Sequence, residues 1–182
     1  MTKTKPTIVV FGSSRPKAGE REYDVAYETG KLLAAAGYRI CNGGYGGVME
    51  ASARGAKDAG GSTLGVVMEW FSTTANPYID QKIVTKTLNE RLLKLVELGD
   101  TYVVLQGGTG TLLELATVWE FIFKHVMKEK PIVVVGDFWS PVVNTLKDEI
   151  RRETRESAMN YITIVRSPKE CIERLIGKLT LG

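Results

Sequence analysis

The sequence predicts an α/β fold, with a doubly wound and mainly parallel sheet of six or seven strands and helices on both faces. Short runs rich in Val and Ile alternate with helical patterns along all 182 residues. The runs show no polar alternation, which is typical of strands covered on both faces in a parallel sheet. A chain of this length forms a sizeable core, so we expect a single domain over 1–182.

Six strands and six helices are predicted in alternation. In chain order, the strands are expected at 7–11, 38–41, 62–67, 101–105, 131–135 and 161–165. The helices are expected at 20–36, 47–59, 86–98, 110–128, 141–152 and 168–178. Gly37 is suited to end the first helix, and Pro141 and Pro168 stand where a first helical turn tolerates proline. Right-handed crossovers place such helices on both faces of the sheet.

The stretch 68–81 is the one long segment without a regular pattern, and it carries Trp70, Phe71 and Tyr78. A loop of this length inside a compact domain is often functional. These aromatic side chains either pack the loop against the domain, which is the default expectation, or stack on the base of a ligand.

Composition excludes several classes of protein. The 24 basic and 21 acidic residues give a net charge of +3, and they are scattered, which argues against a nucleic-acid partner. No apolar run approaches the ~18 residues of a membrane span. Cys41 and Cys171 form no CxxC or Cys/His pattern, which favours free thiols in a reducing, cytoplasmic compartment. With one histidine and no cysteine cluster, no metal site is expected.

Three glycine-bearing loops follow predicted strands: "GSSRP" at 12–16, "NGGYGG" at 42–47 and "QGGTGT" at 106–111. Glycine lets the backbone approach a ligand closely, and the free N–H groups of a helix start favour an anion. In open α/β sheets, ligands bind at the carboxyl ends of the strands, where these loops lie. We therefore predict a phosphate site formed by Gly12, Ser13, Ser14, Gly43, Gly44, Gly47, Gly107, Gly108, Thr109, Gly110 and Thr111.

Missing features narrow the type of phosphate ligand. The GxxxxGK[ST] motif of a Walker-type nucleoside triphosphate site is absent. GxGxxG also fails, because Met49 and Leu113 stand where the third glycine of the second and third loops should be. No acidic residue ends the second strand to bind an NAD ribose. A mononucleotide or a sugar phosphate therefore fits these loop sequences better than a dinucleotide does.

Glu114 and Arg91 are the candidate catalytic residues. Glu114 falls within about one turn of the start of an apolar helix, where it either favours the helix dipole or faces the phosphate-bearing cleft. Arg91 lies near the start of the preceding helix, where it is either a surface ion-pair partner of nearby glutamates or a ligand-positioning group. If both converge on one cleft, they suit the cleavage of an N-glycosidic bond.

Four motifs in this order resemble the LOG (Lonely Guy) family, many of whose members carry the label lysine decarboxylase-like. They are "GSS", "NGGYGGVME", "NER" and "QGGTGTLLE", and the resemblance extends from about residue 7 to 150. It implies a Rossmann-like fold, usually in a dimer. It also implies hydrolysis of nucleoside 5′-monophosphates, of the AMP or cytokinin riboside type, to free base and ribose 5-phosphate without a metal or cofactor.

The resemblance assigns roles to individual residues. In the PGGxGTxxE motif, Glu114 would be the catalytic carboxylate and the preceding Gly-Thr loop the phosphate cradle, with Gln106 in place of the proline. Arg91 matches the arginine of a second motif, MHxRK. The Met, His and Lys positions of that motif hold Leu88, Asn89 and Leu92. The glycine-rich motif keeps Gly43, Gly44, Gly47 and Met49, with Asn42 at its first glycine.

Three other functions are compatible with a fold of this class: a carrier, a DNA-binding protein and a decarboxylase. A non-catalytic carrier of a nucleotide or of molybdenum cofactor is the alternative, because related Rossmann-like families bind such ligands, and a DNA-binding role like that of DprA is a distant third. A pyridoxal-phosphate decarboxylase is disfavoured, because such an enzyme needs a Schiff-base lysine at its site and Lys17 is the one lysine near any glycine loop.

His125 falls late in an apolar helix and is expected to be structural. Part of that helix surface is expected to form a homodimer.

Overall fold

The computed structural model describes residues 5–152 and 160–179, so both chain ends and residues 153–159 of the expected single domain lie outside it. Seven strands form one sheet in the order β4-β3-β2-β1-β5-β6-β7. They are β1 (Thr7–Phe11), β2 (Arg39–Asn42), β3 (Thr63–Met68), β4 (Gln81–Thr85), β5 (Thr101–Val104), β6 (Ile132–Val135) and β7 (Ile162–Val165). The helices are α1 (Arg21–Ala35), α2 (Val48–Asp58), α3 (Leu88–Leu98), α4 (Thr109–Phe123), α5 (Ser140–Arg152) and α6 (Pro168–Leu179).

All neighbouring strands of this sheet are parallel, and both of its faces are covered. Successive β1 residues point to opposite sides, which explains the unbroken apolar run. Val9 and Phe11 pack in one core with α3, α4 and α5. Ile8 and Val10 pack in the other core with α1, α2 and α6. The predicted fold class is confirmed.

The strand order reverses beside β1, which pairs with β2 on one side and with β5 on the other. The chain passes from β1 into α1 on one face of the sheet and from β5 into α4 on the other face. Such a switch point opens a crevice at the carboxyl ends of the strands. The three glycine loops follow β1, β2 and β5, which are adjacent strands, so they lie side by side at this crevice.

Strand β4 was not predicted, because its residues fell partly in the stretch expected to be irregular. Gln81 and Lys82 are exposed, and Thr85 is the one buried position of the strand. An edge strand with one neighbour lacks the apolar run by which buried strands are recognised. The irregular segment is therefore 69–80.

The predicted end of α4 at residue 128 was wrong, because the helix ends at Phe123. His125 takes a left-handed φ of 56°, and the N–H groups of Val126 and Met127 then donate to the carbonyl of Phe121. Apolar residues continue past this turn, so hydrophobicity alone could not locate it. His125 is consequently an exposed turn residue and not part of an apolar helix.

Two further expectations concern chemistry away from the glycine loops. Cys41 and Cys171 are free and buried, and burial raises the pKa of both thiols to about 12, which leaves them unreactive. Within residues 5–152 and 160–179, no group of three or more His, Cys, Asp or Glu side chains could hold a metal ion. The helices of the same ranges are too short or too polar to cross a bilayer.

Candidate functional site

Ser13 joins the three glycine loops at the crevice. Its N–H donates to the carbonyl of Gln106 at 3.1 Å, and its carbonyl accepts from the N–H of Val48 at 2.8 Å. Gly47 has a φ of 66°, and a Cβ there would collide with the backbone of Ser13 and Ser14. The loops are thus packed against one another closely enough that Gly47 cannot be replaced without strain.

Gly108 and Gly110 differ from the packed glycines, because both are exposed. A Cβ at either position would meet no atom within 4 Å, and neither has a positive φ. Gly108 is the N-cap of α4 and offers no side chain to cap the first N–H groups of the helix. The helix start is therefore exposed and has no side-chain cap, two features that favour an anionic ligand.

Asn42 holds the second glycine loop in place, a role that the sequence analysis missed. Its buried amide donates to the carbonyl of Met49 at 2.8 Å and to the hydroxyl of Ser52 at 3.2 Å, while its Oδ1 accepts from the N–H of Gly44 at 2.8 Å. An Asn at the end of a buried strand and before two glycines is a signal for such a side-chain turn.

Arg91 is buried, with 9% of its surface exposed. Its Nε donates to the carbonyl of Val66 at 2.8 Å, and its Nη2 donates to the carbonyl of Gly43 at 3.1 Å. The ring of Tyr45 lies 5.5 Å from the guanidinium carbon. The expectation of a surface ion-pair partner for Arg91 is therefore wrong, because the residue is fixed beneath the second glycine loop.

Glu114 lies in the second turn of α4, as the sixth residue counted from Thr109. The dipole effect falls off within the first turn, so it does not account for this carboxylate. The Oε1 of Glu114 lies 3.9 Å from the Nη1 of Arg91. Burial raises the pKa of Glu114 to about 7, and the positive charge of Arg91 opposes that rise. The carboxyl group therefore exchanges a proton near neutral pH.

The segment 69–80 is attached to the second glycine loop through two side chains. The Tyr45 hydroxyl accepts from the N–H of Met68 at 2.8 Å and donates to the carbonyl of Ser72 at 3.0 Å. The Asn76 amide donates to the carbonyl of Tyr45 at 2.8 Å. These bonds hold the segment over the Arg91 side of the crevice.

The aromatic residues of this segment have different environments. Tyr78 is half-buried, and its ring lies 5.9 Å from the guanidinium carbon of Arg54. Trp70 and Phe71 are 85% and 63% exposed, so the expectation that they pack the segment down is wrong. The Phe71 ring meets Tyr45 edge-on at 6.2 Å between centroids. A flat ligand group could stack on Trp70 or Phe71 without displacing protein.

The arrangement combines an uncapped helix start with a buried guanidinium and a largely buried carboxyl group. The third glycine loop opens α4, and Glu114 lies on the same helix one turn further along. The guanidinium of Arg91 is held by two backbone carbonyls and faces Glu114. A phosphorylated sugar bound at the helix start would lie within reach of a carboxyl group that can accept or release a proton.

Comparison with known proteins agrees with these features. The model of the SLOG cluster4 family matches residues 5–172. An uncharacterized protein of Archaeoglobus fulgidus is 37% identical over 129 residues, covering 71% of this chain and 83% of that protein. A cytokinin riboside 5′-monophosphate phosphoribohydrolase of Mycobacterium tuberculosis is 35% identical over 138 residues, covering 73% of this chain and 71% of that protein.

A solved structure has the same fold over almost the whole chain. The molybdenum cofactor binding protein of Rippkaea orientalis superposes with a TM-score of 0.76 at 29% identity, covering 96% of this chain and 98% of that chain. The resemblance predicted from the glycine and glutamate motifs is thereby confirmed, and the chain belongs to the SLOG cluster4 family of LOG-related proteins.

Proposed function

We propose that the protein hydrolyses the N-glycosidic bond of nucleoside 5′-monophosphates, of the AMP or cytokinin riboside type, to free base and ribose 5-phosphate. The observation that carries the proposal is the pair formed by buried Arg91 and largely buried Glu114, on the helix whose start has no side-chain cap. The phosphoribohydrolase name of the Mycobacterium tuberculosis relative supports the same reaction.

The glycine loops bind the 5′-phosphate in this proposal. The uncapped N–H groups at the start of α4 and the space over Gly108 and Gly110 accept the phosphate oxygens. Ser13 and Ser14 add hydroxyl donors from the loop after β1. The ribose then extends from the phosphate along α4 toward Glu114, since that residue follows one turn further along the helix.

Glu114 acts on the anomeric carbon or on the water that attacks it. The C1′–N bond breaks with its electron pair moving to the base, which takes up a proton, and the ribosyl centre becomes oxocarbenium-like. Water supplies the hydroxyl to C1′, and the carboxylate of Glu114 accepts the proton of that water. Release of this proton to solvent restores the carboxylate and balances the proton that the base takes up from solvent. A pKa of about 7 suits this exchange, because the base form and the acid form are both populated near neutrality.

Arg91 positions the carboxylate and the sugar. Two of its nitrogens are engaged by the carbonyls of Val66 and Gly43, which fixes the plane of the guanidinium. Its Nη1 remains directed at Glu114. The charge keeps part of the Glu114 population ionised in spite of burial.

Incubation of the protein with AMP, other nucleoside monophosphates and isopentenyl-AMP tests the proposal. Chromatography should detect free base and ribose 5-phosphate in equal amounts from at least one of these compounds. Absence of product from every member of the panel would contradict the proposed reaction.

We propose further that two copies associate through α4. The outward side of this helix exposes Leu113 and Ala116, and Leu88 at the start of α3 is also exposed. Exposed apolar residues of this kind favour an interface. Light scattering should give twice the chain mass, and Leu113→Lys should shift the mass toward that of one chain. A monomeric wild-type protein at micromolar concentration would contradict this proposal.

A non-catalytic carrier of a nucleotide or of molybdenum cofactor is the second candidate. It is favoured by Leu88, Asn89 and Leu92, which replace three polar or sulfur-bearing positions of the MHxRK motif, and by the binding protein of Rippkaea orientalis. Thermal stabilisation by AMP or by molybdenum cofactor without any product would favour the carrier over the hydrolase.

A further inference from the structure

A second cleft lies beside the glycine loops, on the side away from Glu114. It has a volume of about 450 Å³ and is formed at the carboxyl ends of β5, β6 and β7. The side chains that matter for its chemistry are Arg21, Glu22, Asp137, Phe138 and Arg166. The hydrolysis proposed above uses none of them.

This cleft is continuous with the phosphate loops. A neighbouring hollow of about 370 Å³ is lined by Ser13 and Gly107 of those loops, together with Arg15. The two spaces share Glu22, Gln106 and Phe138 as lining residues. A ligand bound at Ser13 and Gly107 therefore lies beside the second cleft, with the side chains of Glu22 and Phe138 bordering both spaces.

The switch point of the sheet puts the two ends of such a ligand on opposite faces. Glu114 lies on α4, which packs on one face, whereas Arg21 begins α1 and Arg166 precedes α6, which pack on the other face. The loops after β1 and β5 lie between them at the carboxyl edge. With a 5′-phosphate at these loops and the nucleoside directed to Glu114, the second cleft is the space that borders the loops on the side away from the nucleoside.

The charges in this cleft suit phosphate and sugar together. The guanidinium groups of Arg21 and Arg166 make no ion pair or hydrogen bond within the part of the chain that the structure describes. Arginine binds phosphate oxygens through two parallel hydrogen bonds. Glu22 and Asp137 supply carboxylates, which accept hydrogen bonds from ribose hydroxyls. Two positive and two negative groups fit a ligand that carries both phosphate and hydroxyl groups better than they fit a simple anion.

Phe138 provides a rigid apolar surface at the same place. Its ring is 49% exposed and meets Trp139 edge-on, with centroids 5.0 Å apart. Trp139 is buried and donates from Nε1 to the carbonyl of Leu105 at 2.9 Å, which fixes the pair relative to β5. An aromatic ring held in this way offers a face to a sugar or a base.

We propose that the protein binds nucleotides whose 5′-phosphate is extended by a second phosphate and a second ribose, the class of nucleoside diphosphate–riboses. Arg21 and Arg166 bind the second phosphate, Glu22 and Asp137 bind the hydroxyls of the second ribose, and Phe138 packs against its ring. The inference rests on the proposed function for the position of the first phosphate at the glycine loops and for the direction of the nucleoside toward Glu114.

Calorimetric titration of the wild-type protein with AMP, ADP and ADP-ribose tests the inference. We expect ADP-ribose to bind about tenfold or more tightly than AMP, and ADP to bind with intermediate affinity. The double variant Arg21→Ala, Arg166→Ala should lose most of that gain and keep the AMP affinity of the wild type. Arg152→Ala, an exposed arginine of α5 that lines neither space, should leave all three affinities unchanged.

The outcomes separate this inference from the proposed hydrolysis. Equal affinities for AMP and ADP-ribose would overturn the extended site even if AMP were hydrolysed. The same would follow if the double variant lost affinity for AMP, ADP and ADP-ribose to the same extent. Tighter binding of ADP-ribose that depends on the two arginines would support it even if no base were released. Failure of all three compounds to bind would overturn both proposals.

Discussion

Arg91 and Glu114 approach within 3.9 Å of one another beneath the glycine loops, although 23 positions and strand β5 separate them in the chain. The distance is too long for a direct hydrogen bond. Burial therefore outweighs the attraction of the guanidinium, and the pKa of Glu114 rises to about 7.

The activity should follow the ionisation of Glu114. If the carboxylate accepts a proton from water, kcat/KM for AMP rises as the pH increases through about 7 and levels off above it. Initial rates between pH 5 and pH 9 measure this rising part, or limb, of the pH–rate profile. A rate that falls across the same interval would show that the protonated acid is the active form.

The same ionisation should weaken the fold as the pH rises. The folded pKa of about 7 lies above the ordinary value of 4.5, so the folded state retains a proton that the unfolded state has lost between these values. Stability then declines from pH 4.5 to pH 7, by an amount on the order of 3 kcal/mol at most.

Glu114→Gln should remove that decline. Urea unfolding at pH 5 and pH 8 should show that the variant gains stability relative to the wild type at the higher pH. Other titrating groups are common to both proteins and cancel in the comparison. If the difference in unfolding free energy between the two proteins were the same at pH 5 and pH 8, the raised pKa of Glu114 would be contradicted.

Replacement of Arg91 should separate charge from geometry. Arg91→Met removes the charge that opposes burial, so the pKa of Glu114 rises further and the pH–rate limb moves to higher pH. Arg91→Lys keeps the charge, so its limb should remain near that of the wild type. Both variants lose bonds to the carbonyls of Val66 and Gly43, at a cost of about 1–3 kcal/mol in unfolding free energy. Identical pH profiles for Met and Lys variants would refute the electrostatic role.

Gly110→Ala should affect ligand binding and not folding. The position is helical and its Cβ would enter open space, so alanine should stabilise α4 by about 0.5–1 kcal/mol. The added methyl group would stand where the phosphate approaches, and we expect the affinity for AMP to fall. Gly47→Ala is the contrasting variant, because its positive φ and its contact with Ser13 predict lower thermal stability. Unaltered AMP affinity in Gly110→Ala would place the phosphate elsewhere.

The sequence predicted the sheet and the neighbourhood of the site because these depend on local patterns. Buried parallel strands require unbroken runs such as that of β1, and the carboxyl ends of adjacent strands must meet at one edge. Strand β4 was not predicted, because an exposed edge strand does not need such an apolar run. The end of α4 escaped because the left-handed turn at His125 interrupts a sequence that stays apolar.

The environment of Arg91 could not be predicted from its own segment. Its bonding partners, Val66 and Gly43, come from other loops and strands, and its neighbours in sequence are exposed Asn89 and Glu90. Burial of a single charged side chain is decided by such distant contacts. The same holds for the raised pKa of Glu114, which depends on packing around α4 and not on the motif alone.

In the proposed reaction, Glu114 takes part in cleavage of the nucleotide. Its most direct test compares base release from AMP by the wild type, Glu114→Gln and Glu120→Gln, an exposed glutamate on the same helix. We expect a loss of roughly 10²–10⁴-fold in kcat for Glu114→Gln with AMP still bound, and wild-type rates for Glu120→Gln. Undiminished release of adenine by Glu114→Gln would contradict it.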